Sequence, residues 1–173
     1  MIDDALERLT SALQRQQRAA ERDAAQESVC VFARCVRTSN QSVANNTLTV
    51  INYDVIQADD LGCVALSPWR FVTPMPGYYL ASAALLFMAS TAWAPGEVAR
   101  LSVFVNDVEY ARLAHLQNIP SGVSLNVFLS GSTLCELEEG DTLDFRVMQA
   151  SGATQTIQGT TAFTYCTIVK LDD

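Results

Sequence analysis

The chain of 173 residues holds one histidine, His115, and that scarcity removes much chemistry at once. A hydrolytic triad needs its histidine beside a nucleophile and an orienting group, and multi-histidine metal centres need several. In Leu113-Ala114-His115-Leu116 the residue reads as a surface position or a subunit contact. Cysteine occurs five times, at Cys30, Cys35, Cys63, Cys135 and Cys166, but the number is odd, no CxxC occurs, and the Cys30/Cys35 spacing has no second half. Such a set is a poor disulfide framework and a poor zinc site. It suits reduced core cysteines in a chain folded in a reducing compartment. A Gly-rich phosphate loop is lacking, and with 8 glycines there is no Gly-x-y repeat. Positive charge is short too: 11 Lys and Arg stand against 19 Asp and Glu, a net charge of −8. That balance does not hold phosphate backbones by counterion release, so nucleic acid is not an expected partner. Met1-Ile2-Asp3-Asp4 places acids where a secretory signal carries its basic region, and no apolar core follows, so no signal peptide is expected.

Residues 1–27 differ from all that follow. Ile2, Leu6, Leu9 and Leu13 are spaced 4, 3 and 4, the stripe of a helix, and no Gly or Pro interrupts the segment. The seam then passes to Gln16, Ala20 and Asp23 or Ala24. Fewer than two clean heptads do not hold strands together alone. A short stalk or docking helix is expected, with a surface helix folded back on its own domain as the alternative.

Residues 28–173 have the composition of one folded domain, in a chain that is 49% hydrophobic and 17% charged. Short runs alternate with period two: Leu48/Val50, Tyr53/Val55, Leu101/Val103/Val105, Leu125/Val127/Leu129 and Leu143/Phe145/Val147. Turn residues separate them at Asn45-Asn46, Asp59-Asp60, Pro74 to Gly77, Pro95-Gly96, Asn106-Asp107, Ser121-Gly122, Gly140-Asp141 and Ser151-Gly152. The fold class that follows is mainly β, an antiparallel jelly-roll β-sandwich with a short N-terminal α-helix.

From Phe71 to Gly96 no residue is charged. A membrane helix is the sharp alternative, but only 17 residues lie between Gly77 and Pro95, Ser82, Ser90 and Thr91 interrupt them, and basic flanks are lacking. A strand buried on both faces reads the same way. Since one face of a sandwich strand ordinarily meets solvent, a second cover is expected, most economically another copy of the chain.

Phe71-Val72-Thr73-Pro74-Met75-Pro76-Gly77-Tyr78-Tyr79 resembles the turn that opens a core strand in the globular domain of the C1q and tumour-necrosis-factor superfamily. Leu137-Glu138-Glu139-Gly140-Asp141-Thr142-Leu143, after Leu129-Ser130-Gly131-Ser132, resembles that family's late hairpin. Tyr53-Asp54-Val55, Val105-Asn106-Asp107 and Ala162-Phe163 are weaker matches in the same order. One departure is Phe163-Thr164-Tyr165-Cys166, where the family usually has a Gly shortly after the Phe. The resemblance implies a ten-stranded jelly roll and a tight trimer with apolar strands facing the axis. It assigns Tyr79, Ala81, Ala83, Leu85 and Phe87, with Phe163 and Tyr165 of the last strand, to the subunit interface.

Two further features invite chemistry. Glu136, Glu138, Glu139 and Asp141 could form a glycosidase pair or coordinate calcium, as some members of the resembled family do; the plain reading is an acidic solvated turn, as it is for Asp59-Asp60. Trp93, just before Pro95-Gly96, is the candidate ligand-binding aromatic, whereas Trp69 belongs in the core. The expected function is non-enzymatic: a homotrimeric structural protein of a bacteriophage virion, made in the host cytoplasm, serving as head fibre, capsid decoration or tail tip. Its helix would dock on other virion proteins, and the sandwich would bind a host-surface glycan or protein or assist capsid assembly. The alternative is a cellular C1q-like recognition module binding glycan or protein ligands, here without the family's frequent collagen-like stalk. A sugar-cleaving enzyme using Glu138 or Asp141 is third.

Overall fold

A computed structural model describes residues 13–17, 30–88, 93, 97–117 and 126–171. Residues 13–17 are helical and exposed, Leu13 among them. Ile2, Leu6 and Leu9, the other seam positions, lie outside the described residues.

Thirteen strand segments follow: β1 (Phe32–Val36), β2 (Gln41–Val43), β3 (Thr49–Val50), β4 (Val55–Asp59), β5 (Val64–Leu66), β6 (Trp69–Val72), β7 (Gly77–Met88), β8 (Val98–Val105), β9 (Val108–Gln117), β10 (Val127–Leu137), β11 (Thr142–Gln149), β12 (Gln155–Ile157) and β13 (Tyr165–Lys170). The resemblance implied ten; the larger number includes four pieces of two or three residues each, β2, β3, β5 and β12. Sheet A runs β2-β12-β7-β13-β1-β4, with β10 along the other edge of β7. Sheet B runs β5-β6-β11-β8-β9, with β3 also on β11. Every strand pairing is antiparallel.

Alternation builds the core. Leu101 and Val103 on β8, Val127 and Leu129 on β10, and Leu143, Phe145 and Val147 on β11 all point inward and are buried, as their period of two predicts. Tyr53, Trp69 and Phe145 meet at its centre, with ring centroids 4.9 Å (Tyr53–Trp69) and 5.8 Å (Trp69–Phe145) apart. The Phe71–Tyr79 motif closes one end: the rings are 5.9 Å apart, and the Tyr79 hydroxyl donates to the Met75 carbonyl at 2.7 Å.

The turns hold by specific chemistry. Asn106 and Asp107 both take positive φ, 49° and 64°, between β8 and β9, the conformation a two-residue hairpin requires. The Asn106 amide donates to Asp141 at 2.7 Å, and Thr142 N–H donates to the Asn106 side-chain oxygen at 2.9 Å. Two predicted turns are thereby joined.

Candidate interaction surface

Sheet B carries an internally satisfied polar network over part of its surface, while Val108, Tyr110 and Leu116 on β9 stay exposed. The Arg146 guanidinium lies 4.3 Å from the centroid of Phe104 and pairs with Asp144 at 2.7 Å and with Asp107. Hydrogen bonding to Asp144 chiefly, then to Asp107, raises the Arg146 pKa above its ordinary range. Ser102, fully buried, donates to Glu109 at 2.8 Å. That bond, opposed by burial and aided by Arg100 and Arg112, lowers the Glu109 pKa. Polar groups satisfied in this way have little to offer a partner.

Sheet A differs. Along β7 the odd positions Tyr79, Ala81, Ala83, Leu85 and Phe87 are all buried in the sandwich's own core. This corrects the interface assigned to them: side chains inside one protomer cannot touch another. The outward positions are Tyr78, Leu80, Ser82, Ala84, Leu86 and Met88. Of these, Tyr78 is 44% and Leu80 38% exposed, whereas Ala84 and Leu86 are buried within the single chain. The demand for a second cover is therefore narrower than the uncharged run suggested.

Register assembles these positions into rows. Leu80 lies opposite Leu134 on β10 and Val169 on β13, and Val169 opposite Phe32 on β1. Leu86 lies opposite Phe128, which with Leu134 is 47% exposed. Between these apolar rows runs a polar one of Arg34, Thr167, Ser82 and Ser132. Arg34 donates to Thr167 at 3.1 Å and Gln57 at 2.9 Å, and lies 4.9 Å from the Tyr165 ring centroid. Exposed apolar side chains gathered on one sheet face are what a contact surface offers. Tyr165 is on this face and Phe163 is 43% exposed in the turn before β13, so both are accessible to a partner.

Solved structures resemble this arrangement. A tumour-necrosis-factor protein named Eiger, from S. frugiperda, superposes with a TM-score of 0.61 at 12% identity, covering 83% of this chain and 94% of its own. Murine APRIL, from a crystal at pH 8.5, gives 0.56 at 13% identity, over 82% and 99%. The same protein at pH 5.0 gives 0.57 at 14% identity, over the same shares. The fold is the tumour-necrosis-factor jelly roll. No family model and no curated protein sequence matches the chain.

Within this jelly roll the other candidates resolve as follows. Trp93 is fully buried, its ring centroid 5.9 Å from that of Phe87, so it is a core residue and not a ligand-binding aromatic; Trp69 is core as predicted. Asp141 spends its carboxylate on Asn106 and on the Glu138 N–H, which lower its pKa in that order against burial. Among the described residues no three His, Cys, Asp or Glu side chains group as metal ligands would. His115, on β9 opposite Arg100, is exposed. No helix among the described residues is long and apolar enough to cross a membrane, and 77–88 of the uncharged run is strand β7.

The residues that sequence reading passed over are Tyr78, Leu80, Phe128 and Leu134. Their parity was available indirectly: on β10, polar Ser130, Ser132 and Glu136 share the outward set with Phe128 and Leu134.

Proposed function

We propose that this protein is a homotrimeric, non-enzymatic binding module, assembled through the outer face of sheet A. The apolar rows that strand register assembles on sheet A carry the reading. Tyr78, Leu80, Phe128 and Leu134 stand exposed on that face, and Leu80 and Leu134 are direct partners across β7 and β10. The resemblance to a trimeric superfamily supplies the stoichiometry. Native mass of the full chain and of a chain starting at Ser28 tests it. Trimers are expected from both, and a monomeric core would overturn the role of this face.

In its finer form the proposal places the trimer on a bacteriophage particle, for attachment or capsid assembly, with the segment before residue 28 docking on another virion protein and the jelly roll meeting a host-surface glycan or protein. The helical residues 13–17 ahead of the sandwich fit a subunit that docks through its N-terminal segment. Immunogold labelling of particles checks this, and virions without label would remove it. The second reading is a cellular recognition module, favoured by the animal origin of the similar structures. Surface labelling of cells in the absence of particles would select it.

A further inference from the structure

We propose that Cys35 and Cys166 form a latch: a disulfide between the first and last strands of the sandwich, closed during folding by thiol–disulfide exchange with a small organic disulfide. The two residues are direct partners in the β1–β13 register. Directly opposed residues of an antiparallel pair have Cα atoms about 4.5–5.5 Å apart, inside the roughly 4.4–6.8 Å that disulfides span. Both side chains point into the core, and the two thiols are hydrogen-bonded to each other. The Tyr53 hydroxyl, which finds no conventional partner among the described residues, keeps company with the Cys166 thiol. No other cysteine pair has this placement. Cys135 is opposite Tyr79, Cys63 sits in the β4–β5 turn with its N–H held by Asp59, and Cys30 is exposed.

The exchange runs in two steps. Either thiol can begin it; with Cys35 first, its thiolate is the nucleophile. It adds to one sulfur of the reagent, the reagent's S–S bond breaks, and one half leaves as a thiol after taking a proton. Cys166 then loses its proton and attacks the Cys35 sulfur, expelling the second half as another thiol. Two electrons pass from the protein to the reagent, and the two protein protons end on its two thiols. A mixed disulfide needs room that the closed core lacks, since both cysteines are essentially inaccessible. The exchange therefore belongs to the interval before β13 docks on β1. Afterwards, oxidant and reductant are alike shut out, and the native state retains the redox history of its folding.

The test is to unfold the reduced full chain and refold it in glutathione buffer, either oxidising or fully reducing, followed by alkylation and peptide mapping. From the oxidising arm the expected chain is two hydrogens lighter, has one cross-linked peptide pair containing Cys35 and Cys166, and melts higher than the reduced sample. Native reduced protein in the same oxidising buffer is expected to stay uncross-linked for hours. Full alkylation of all five thiols after oxidative refolding would overturn the proposal, as would a cross-link through Cys63 or Cys135. C35A and C166A are each expected to lose the mass change while keeping the β spectrum. If neither variant folds, the wild-type map decides alone.

Discussion

The replacement of Leu134 by Asp probes the assembly most directly. Leu134 is 47% exposed and its cross-strand partner Leu80 38% exposed, so the isolated protomer loses little when either becomes polar. Full burial of a leucine contributes about 1.5–3 kcal/mol. Covering the part still in water therefore contributes about 1 kcal/mol at each position, or about 2 kcal/mol for the pair in each protomer. An aspartate in the closed seam forfeits its share and adds the cost of an unpaired buried carboxylate, several kcal/mol. A loss of about 4 kcal/mol per protomer weakens each contact by roughly three powers of ten. L134D and L80D are expected to run as monomers in native mass measurement and sedimentation, with an unchanged far-ultraviolet spectrum. Leu66, 42% exposed on β5 of the other sheet, supplies the control: L66D should remain trimeric. A trimeric L134D would refute the reasoning, and so would an L66D that dissociates.

Other outcomes follow from the same geometry. Phe145→Ala empties the centre of the Tyr53–Trp69–Phe145 cluster and should cost about 3–5 kcal/mol in denaturant unfolding, enough to threaten folding at 37 °C. Gly159→Ala should destabilise by about 1–3 kcal/mol or more, because a Cβ there overlaps the backbone of Ser39, while Gly159 N–H is committed to Asn40 at 2.9 Å. The pKa of Asp54 is lowered: burial opposes ionisation, but hydrogen bonds from Ser39 and Thr38 outweigh it. A lowered carboxylate stabilises the fold above its unfolded pKa of about 4, and that contribution disappears as pH falls through the folded value. D54N should therefore reduce stability at pH 7 and flatten the acid limb of a melting-temperature profile. With Ellman's reagent at pH 8, one thiol, Cys30, should react quickly in the reduced native protein and four only on unfolding. Cys35, Cys63, Cys135 and Cys166 are buried, and burial pushes the Cys135 pKa to about 11.

Strands whose two faces differ were legible in the sequence. On β8 and β11, apolar Leu101, Val103, Leu143 and Phe145 alternate with Ser102, Asp144 and Arg146, and only one register buries the first set. Asn106-Asp107 and Gly140-Asp141 were legible for a similar reason, since few residue pairs tolerate the backbone they require. β7 was not legible to the same degree. Residues 79–88 are apolar or small on both faces, so the pattern has no parity, and Tyr79 to Phe87 were assigned outward when the fold uses them inward. Trp93 failed for a related reason: its flanking Pro95-Gly96 marks a turn but does not say whether the side chain folds back onto Phe87.

Composition and alternation by themselves determined a β-sandwich, because the backbone's period of two fixes which side chains can share a core. Tertiary structure alone decided which apolar positions the protomer keeps and which it leaves exposed, since that depends on the register between strands far apart in sequence. β7 meets β10 on one edge and β13 on the other, and those pairings bring Leu80, Leu134 and Val169 into one row. The same kind of pairing sets Cys35 opposite Cys166, 131 positions away along the chain, a neighbourhood that no local spacing encodes.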